Sequence, residues 1–195
     1  MNKLKKNNNF LEKYFSDLSE IIKPNTECLK KLNVVKDLIV STSKKSGKIL
    51  IFGNGGSAAI ASHASVDLTK NARIRAVNFN EADLITCFSN DYGYDRWIEK
   101  TIDFYADKKD IIILISSSGQ SKNMINACKA AKKKRIRVIS FTGHSKNNPL
   151  SKLSKISLWV NSKAYNYIEN IHQIWLLGIC DLIIGKREYS AKRKD

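Results

Sequence analysis

The chain has 195 residues, with 34 lysines and arginines against 18 aspartates and glutamates, giving a formal net charge of +16. That length fits one domain with a substantial core, and 43% hydrophobic residues with 9% aromatic ones exclude a disordered polar tail. No apolar run approaches the ~20 residues of a membrane span, and the basic start MNKLKKNNNF leads into no apolar signal segment, so a cytoplasmic protein is expected.

Residues 10–45 read as two helices broken near Pro24: Phe10, Leu11, Tyr14, Phe15, Leu18, Ile21 and Ile22 recur at helical spacing, then Leu29, Leu32, Val35, Leu38 and Ile39 do so again. The apolar run Lys48–Phe52, bounded by glycines, predicts a buried strand, and Gly53-Asn-Gly-Gly-Ser57 opens a helix running to about Lys70. Arg73–Phe79 reads as a short strand, followed by helices over 81–88 and 94–105. Asp110–Ser116 is the clearest strand; Ser117-Ser-Gly-Gln-Ser121 and a helix to Lys134 follow it. Arg135–Phe141 and Ile156–Val160 read as strands, 142–149 as a loop and 163–184 as a closing helix. Strands alternating with helices predict a three-layer α/β sandwich around a parallel sheet. The expected organisation is an N-terminal helical segment at 1–45, a sheet domain at 46–185 and a charged tail at 186–195.

The lysines are spread along the chain, with modest clusters at Lys3–Lys6, Lys132–Arg135 and Lys186–Lys194. Together with abundant Asn and Ile they read as a compositional bias rather than a nucleic-acid surface, and a positive surface would also favour an anionic small substrate. Cys28, Cys87, Cys128 and Cys180 lie far apart with no CxxC, as expected of reduced thiols.

Ligands of open parallel sheets bind beyond the carboxyl ends of the strands, and both strand–loop–helix junctions lie there. In the first, Gly55 and Gly56 let backbone approach a ligand, and Asn54 and Ser57 add polar groups. In the second, Ser116, Ser117, Ser118 and Ser121 surround Gly119 at a helix N-terminus, an arrangement suited to a phosphate monoester. Neither loop is a GxxxxGK[ST] nucleotide loop, so no nucleotide cofactor is expected. His63 and Asp67, at i,i+4, lie on one side of the first-loop helix, and Glu169 and His172, at i,i+3, lie on the closing helix. Histidine plus carboxylate on two facing helices would make an acid–base or metal cluster.

GNGGS before a helix, NDYG at 90–93 and SSSGQS at 116–121 resemble the sugar isomerase (SIS) domain, and within it the phosphoheptose isomerase group. The resemblance covers nearly the whole chain. It implies a flavodoxin-like fold with a five-stranded parallel sheet, a homotetramer or homodimer with sites between subunits, and an aldose–ketose isomerase acting on sedoheptulose 7-phosphate or a related sugar phosphate. Such a reaction would supply heptose for surface polysaccharide. The resemblance further implies a zinc site and places Asn90 and Asp91 at the substrate. The family's histidine matches His63, its catalytic-base glutamate falls on Asp67 and its closing-helix glutamine on Glu169. Its final histidine falls on Leu177, while His172 matches another histidine often present on that helix.

On this reading Asp67, Glu169 and His172 are catalytic. Asn54, Gly55, Gly56, Ser57, Asn90, Asp91, Ser116, Ser117, Ser118, Ser121 and Glu169 bind substrate, and His63, Asp67, Glu169 and His172 form the metal set. Leu177 and Asp67 keep open an alternative, a non-catalytic sugar-phosphate-binding protein that regulates a partner, as a replication-initiator-associating relative does. His144 reads as a surface residue, and Trp97, Trp159 and Trp175 as core or interface residues.

Overall fold

The computed structural model describes residues 2–189. The elements in chain order are α1 (Asn2–Ile21), α2 (Thr26–Lys44), β1 (Ile49–Gly53), α3 (Gly56–Lys70), β2 (Ala76–Val77), α4 (Ala82–Tyr92) and α5 (Trp97–Tyr105). β3 (Ile111–Ser116), α6 (Lys122–Lys133), β4 (Arg137–Thr142), α7 (Pro149–Leu153), β5 (Ile156–Trp159) and α8 (Tyr165–Ile184) complete the chain. The five strands form one parallel sheet in the order β2-β1-β3-β4-β5. The expected five-stranded α/β architecture is therefore present.

β1 and β3 are buried along their whole length, as continuous Ile/Leu runs covered on both faces should be. Alternate residues feed two cores. Ile49, Ile51, Ile111, Ile113 and Ile115 pack against α2, α3 and α8, whereas Leu50, Phe52, Ile112 and Leu114 pack against α5 and α6. Trp97 fills the second core and Trp175 the first. The register sets Gly53 beside Ile115 and Ser116 beside Thr142, so the glycine and serine loops leave neighbouring strands at the same level. That adjacency builds the site.

The N-terminal pair packs against the closing helix. Tyr167 donates through its hydroxyl to the Tyr14 carbonyl at 2.9 Å, the two rings lie 4.6 Å apart, and the Trp175 indole N–H donates to the Ile22 carbonyl. Asn25 caps α2 by accepting from the Cys28 amide at 2.8 Å.

Three local readings change. The strand expected at 73–79 shortens to Ala76–Val77, and Arg73 takes a left-handed backbone with φ of 57°. Arg135 does the same with φ of 60°, so β4 begins at Arg137. The loop expected over 142–149 ends at Asn148, which caps α7; Pro149 is that helix's first residue, and the rest of it lies where no element was expected.

The fold also redistributes the charge. Because every strand runs the same way, Lys44, Lys45, Lys48, Arg75, Lys108, Lys109, Arg135 and Arg137 meet at the edge where strands begin and helices end. Cations there complement the carbonyl ends of α2 and α6. Lys48 additionally binds the buried carboxylate of Asp110 at 2.6 Å, tying the starts of β1 and β3 together. These eight cations gather at the edge opposite the two loops. Residues 190–195 of the basic C-terminal cluster and charged tail lie outside the described residues.

Candidate active site

The serine loop is held from three sides. The Gly119 amide donates to the Ser116 carbonyl at 3.0 Å and to its hydroxyl at 3.2 Å, and the Gln120 amide donates to the Ser118 hydroxyl at 3.2 Å. From the loop after β4, the Gly143 amide donates to the Ser117 carbonyl and the Leu150 amide to the Gly119 carbonyl. Gly119 has φ of 64°, and a side chain there would run into Asn148, so both conformation and space require glycine. The hydroxyl of Ser117 is buried and finds no hydrogen-bond partner among the described residues. A buried, unpaired hydroxyl facing a cleft is a donor waiting for an acceptor.

The glycine loop is tied to the serine loop by a pair of amides 69 residues apart in sequence. Asn54 Nδ2 donates to Asn123 Oδ1 at 3.1 Å and Asn123 Nδ2 donates to Asn54 Oδ1 at 2.9 Å; the Tyr94 hydroxyl also donates to Asn54 Oδ1, at 3.2 Å. Asn123 is buried and its Oδ1 also accepts from the Met124 amide. It fixes the side chain of Asn54, a role that sequence spacing did not reveal.

A cavity of about 140 Å³ lies between the loops. Its walls are Asn54 and Ser57 on one side, Ser116, Ser117, Ser118 and Ser121 on the other, and Tyr165 and Glu169 of α8 above. The N-termini of α3 and α6 both open toward it, which favours an anion. Glu169 is pressed against Gly56, the first residue of α3; a methyl group at that position would overlap its carboxylate. The cavity therefore combines hydroxyls and helix N-termini suited to an anion with one carboxylate at its wall.

The remaining polar cluster lies farther along the groove between α3 and α8. His63 Nδ1 lies 3.2 Å from Gln173 Nε2, and its Nε2 lies 3.8 Å from Asp67 Oδ2. Asp67 accepts through its other oxygen from Asn71 Nδ2 at 3.0 Å. Gln173 is the i+4 neighbour of Glu169, and Leu177 follows at i+8, so one partly buried stripe of α8 carries all three along α3. Sequence reading missed Gln173, although it falls midway between Glu169 and Leu177, the two α8 positions already singled out.

His172 needs correction. Its ring is fully buried, set edge-on to Phe141 with centroids 5.7 Å apart, and its Nε2–H donates to the Thr142 carbonyl at 3.1 Å. Burial pushes its pKa down to about 4, so it is neutral at physiological pH. At i+3 from Glu169 it turns to the core side of α8 with Ile168, Ile171 and Trp175, away from His63. The metal set His63, Asp67, Glu169 and His172 does not assemble, and among the described residues no three His, Cys, Asp or Glu side chains come together as a metal site.

Asn90 and Asp91 sit on the exposed last turn of α4 and bond to each other, with Asn90 Nδ2 donating to Asp91 Oδ1 at 3.0 Å. They do not line the cavity; within the NDYG stretch and its flank only Tyr94 reaches it, through Asn54. His144 is half-buried rather than a free surface residue. Its backbone is left-handed with φ of 50°, and its ring stands edge-on to Tyr165 at 5.0 Å.

Comparison with known proteins matches this architecture. A model of the SIS domain matches residues 13–143. The phosphoheptose isomerase of Helicobacter pylori strain P12 is 31% identical over 189 residues, spanning 93% of this chain and 97% of the relative. That of Aliarcobacter butzleri is 33% identical over 172 residues, spanning 85% of this chain and 89% of the relative. Among solved structures, a phosphoheptose isomerase from Francisella tularensis superposes with a TM-score of 0.83 at 26% identity, covering 95% of this chain and all of the other (100%). The Neisseria gonorrhoeae phosphoheptose isomerase superposes with a TM-score of 0.80 at 28% identity, covering 94% and 99% of the two chains.

Proposed function

The chain belongs to the SIS domain family, in its phosphoheptose isomerase group, and on that premise we propose that it interconverts sedoheptulose 7-phosphate and the corresponding aldose in heptose precursor synthesis. It is an aldose–ketose isomerase. The observation that carries the site assignment is the cavity in which five serines and two helix N-termini face the single carboxylate of Glu169.

In this assignment the phosphate accepts hydrogen bonds from Ser116, Ser117, Ser118 and Ser121 at the start of α6, and Asn54, Gly55, Gly56 and Ser57 guide the carbon chain. A seven-carbon chain has six C–C bonds of about 1.5 Å and spans roughly 7–8 Å, so its reactive end extends out of the cradle toward the α3–α8 groove. Glu169, at the cavity wall, takes the proton from one carbon of the C1–C2 pair and returns it to the other. His63 exchanges protons with the two oxygens, and Asp67 orients its imidazole. We assign the base to Glu169 because it is the carboxylate at the mouth through which the chain leaves the cradle, while Asp67 lies beside His63 and Asn71. Gln173, which sequence reading did not name, holds the other face of His63.

The protein is assigned to the cytoplasm; no helix among the described residues is long and apolar enough to cross a membrane. A homotetramer is supported by apolar side chains left in solvent on two faces. Phe10, Leu11 and Phe15 lie on α1, and Val66, Ile174 and Leu182 lie on α3 and α8 beside the proposed site. A second chain over the latter face would bring its own polar groups to the open end of the substrate, and Asn90 and Asp91 are the residues assigned there.

Conversion of sedoheptulose 7-phosphate, followed by separation of ketose and aldose phosphates, tests the assignment. Turnover supports it. Binding of the sugar phosphate with no conversion assigns instead the regulatory role to which Leu177 points.

A further inference from the structure

We infer that the groove between α3 and α8 is not a zinc centre in this chain, and that the Gln173 side-chain amide orients His63 where a metal ion would otherwise do so. The inference deepens the isomerase reading, on which the meaning of the groove depends, but the donor geometry stands apart from it.

A catalytic zinc takes three protein donors, each about 2.0–2.2 Å away when nitrogen or oxygen. Along this groove α3 offers His63 and Asp67, and the facing stripe of α8 offers Glu169, Gln173 and Leu177. Leu177, at the level of Asp67, is hydrocarbon. Glu169 is pressed against Gly56, seven residues before His63, which is about 10 Å along the helix axis. His63 Nδ1 is engaged by Gln173 at 3.2 Å, leaving Nε2 facing Asp67 at 3.8 Å. The other imidazole of α8, His172, is turned into the core and bonded to the Thr142 carbonyl. Counting histidine, cysteine and carboxylate donors, two and not three remain at any one point of the groove, in keeping with the absence of any cluster of three His, Cys, Asp or Glu among the described residues.

The same contacts say what replaces the ion. With the Gln173 amide donating to Nδ1, the proton of neutral His63 resides on Nε2. An N–H at that position can donate to the sugar carbonyl oxygen, a task that zinc would perform by polarisation. Gln173 is thus a positioning residue acting through His63.

The test is zinc binding by the full chain purified without a histidine tag, read by competition with a chromophoric chelator of nanomolar affinity. The wild type is expected to leave zinc with the chelator. The double variant Asp67→Glu/Leu177→His, which restores two donors, is expected to take up one zinc per chain at least ~100-fold more tightly. One zinc per wild-type chain that is lost on His63→Ala overturns the inference, as does a folded double variant with no gain in affinity. The isomerase reading fails separately: a wild-type chain inert toward sedoheptulose 7-phosphate with and without added zinc removes that reading, while the chelator result still decides the metal.

Discussion

Gly56→Ala separates stability from catalysis in one substitution. Gly56 is the first residue of α3 and its backbone is not left-handed, so alanine fits the helix and loses less chain entropy on folding. That gain is about 0.5–1 kcal/mol, which for a chain of this length raises Tm by roughly 1–4 °C. The new methyl overlaps only the end of the Glu169 side chain, which can swing away at little cost. The carboxylate then moves by about an ångström, and a displacement of that size at a reacting group costs ~10²-fold in kcat. Thermal melting together with separate kcat and KM values for sedoheptulose 7-phosphate reads both effects. Expected are a Tm at or above wild type and a kcat lower by about two orders of magnitude, with a smaller rise in KM from the added methyl beside the carbon chain. Wild-type kcat would refute the placement of the base, and a fall in Tm of several degrees would refute the packing argument.

Gly119→Ala is expected to act in the opposite way. A left-handed alanine costs about 1–2 kcal/mol, the clash with Asn148 adds to it, and both Tm and sugar-phosphate affinity should fall; calorimetric titration with the substrate checks the second. His172 gives a pH signature. Its folded pKa of about 4 lies below the unfolded value of 6.5, so the unfolded chain takes up a proton first and stability falls as pH drops from 6.5 toward 4, by about 3 kcal/mol in all. Urea midpoints across that range should show this slope in the wild type and a shallower one in His172→Gln, which keeps a donor for the Thr142 carbonyl but does not titrate. Gln173→Leu frees Nδ1 of His63 and is expected to lower kcat by ~10-fold or more with KM nearly unchanged, while Gln173→Asn restores part of the loss.

The strands and both loops were legible because continuous Ile/Leu runs ending in Gly or Ser have few other uses. The run 110–116 has no solvent face at all, and its following serines can only lie at the carboxyl edge of the sheet. α7 was legible in principle through Asn148-Pro149, a cap followed by a first-turn proline, but five residues give no periodicity to read. The cluster on α8 was not legible for a different reason. That helix is apolar on most sides, so periodicity does not say whether the i+3 or the i+4 neighbour of Glu169 faces α3. The i+3 choice selected His172, which packing assigns to the core. The tie between Asn54 and Asn123 depends on the β1–β3 register, which no local pattern encodes. The placement of cations was not legible for a similar reason: cations dispersed in sequence share one edge once all strands run parallel.

In the proposed reaction Glu169 moves a proton between adjacent carbons of a sugar phosphate held by the serine loop. Incorporation of deuterium from D2O at C1 of sedoheptulose 7-phosphate and at C2 of the aldose product, followed by NMR in the wild type and in Glu169→Gln, tests it most directly. The wild type should incorporate label at both positions, and the variant should bind the sugar phosphate with incorporation slowed at least ~10²-fold. No label with the wild type, or an undiminished rate with Glu169→Gln, would contradict the account.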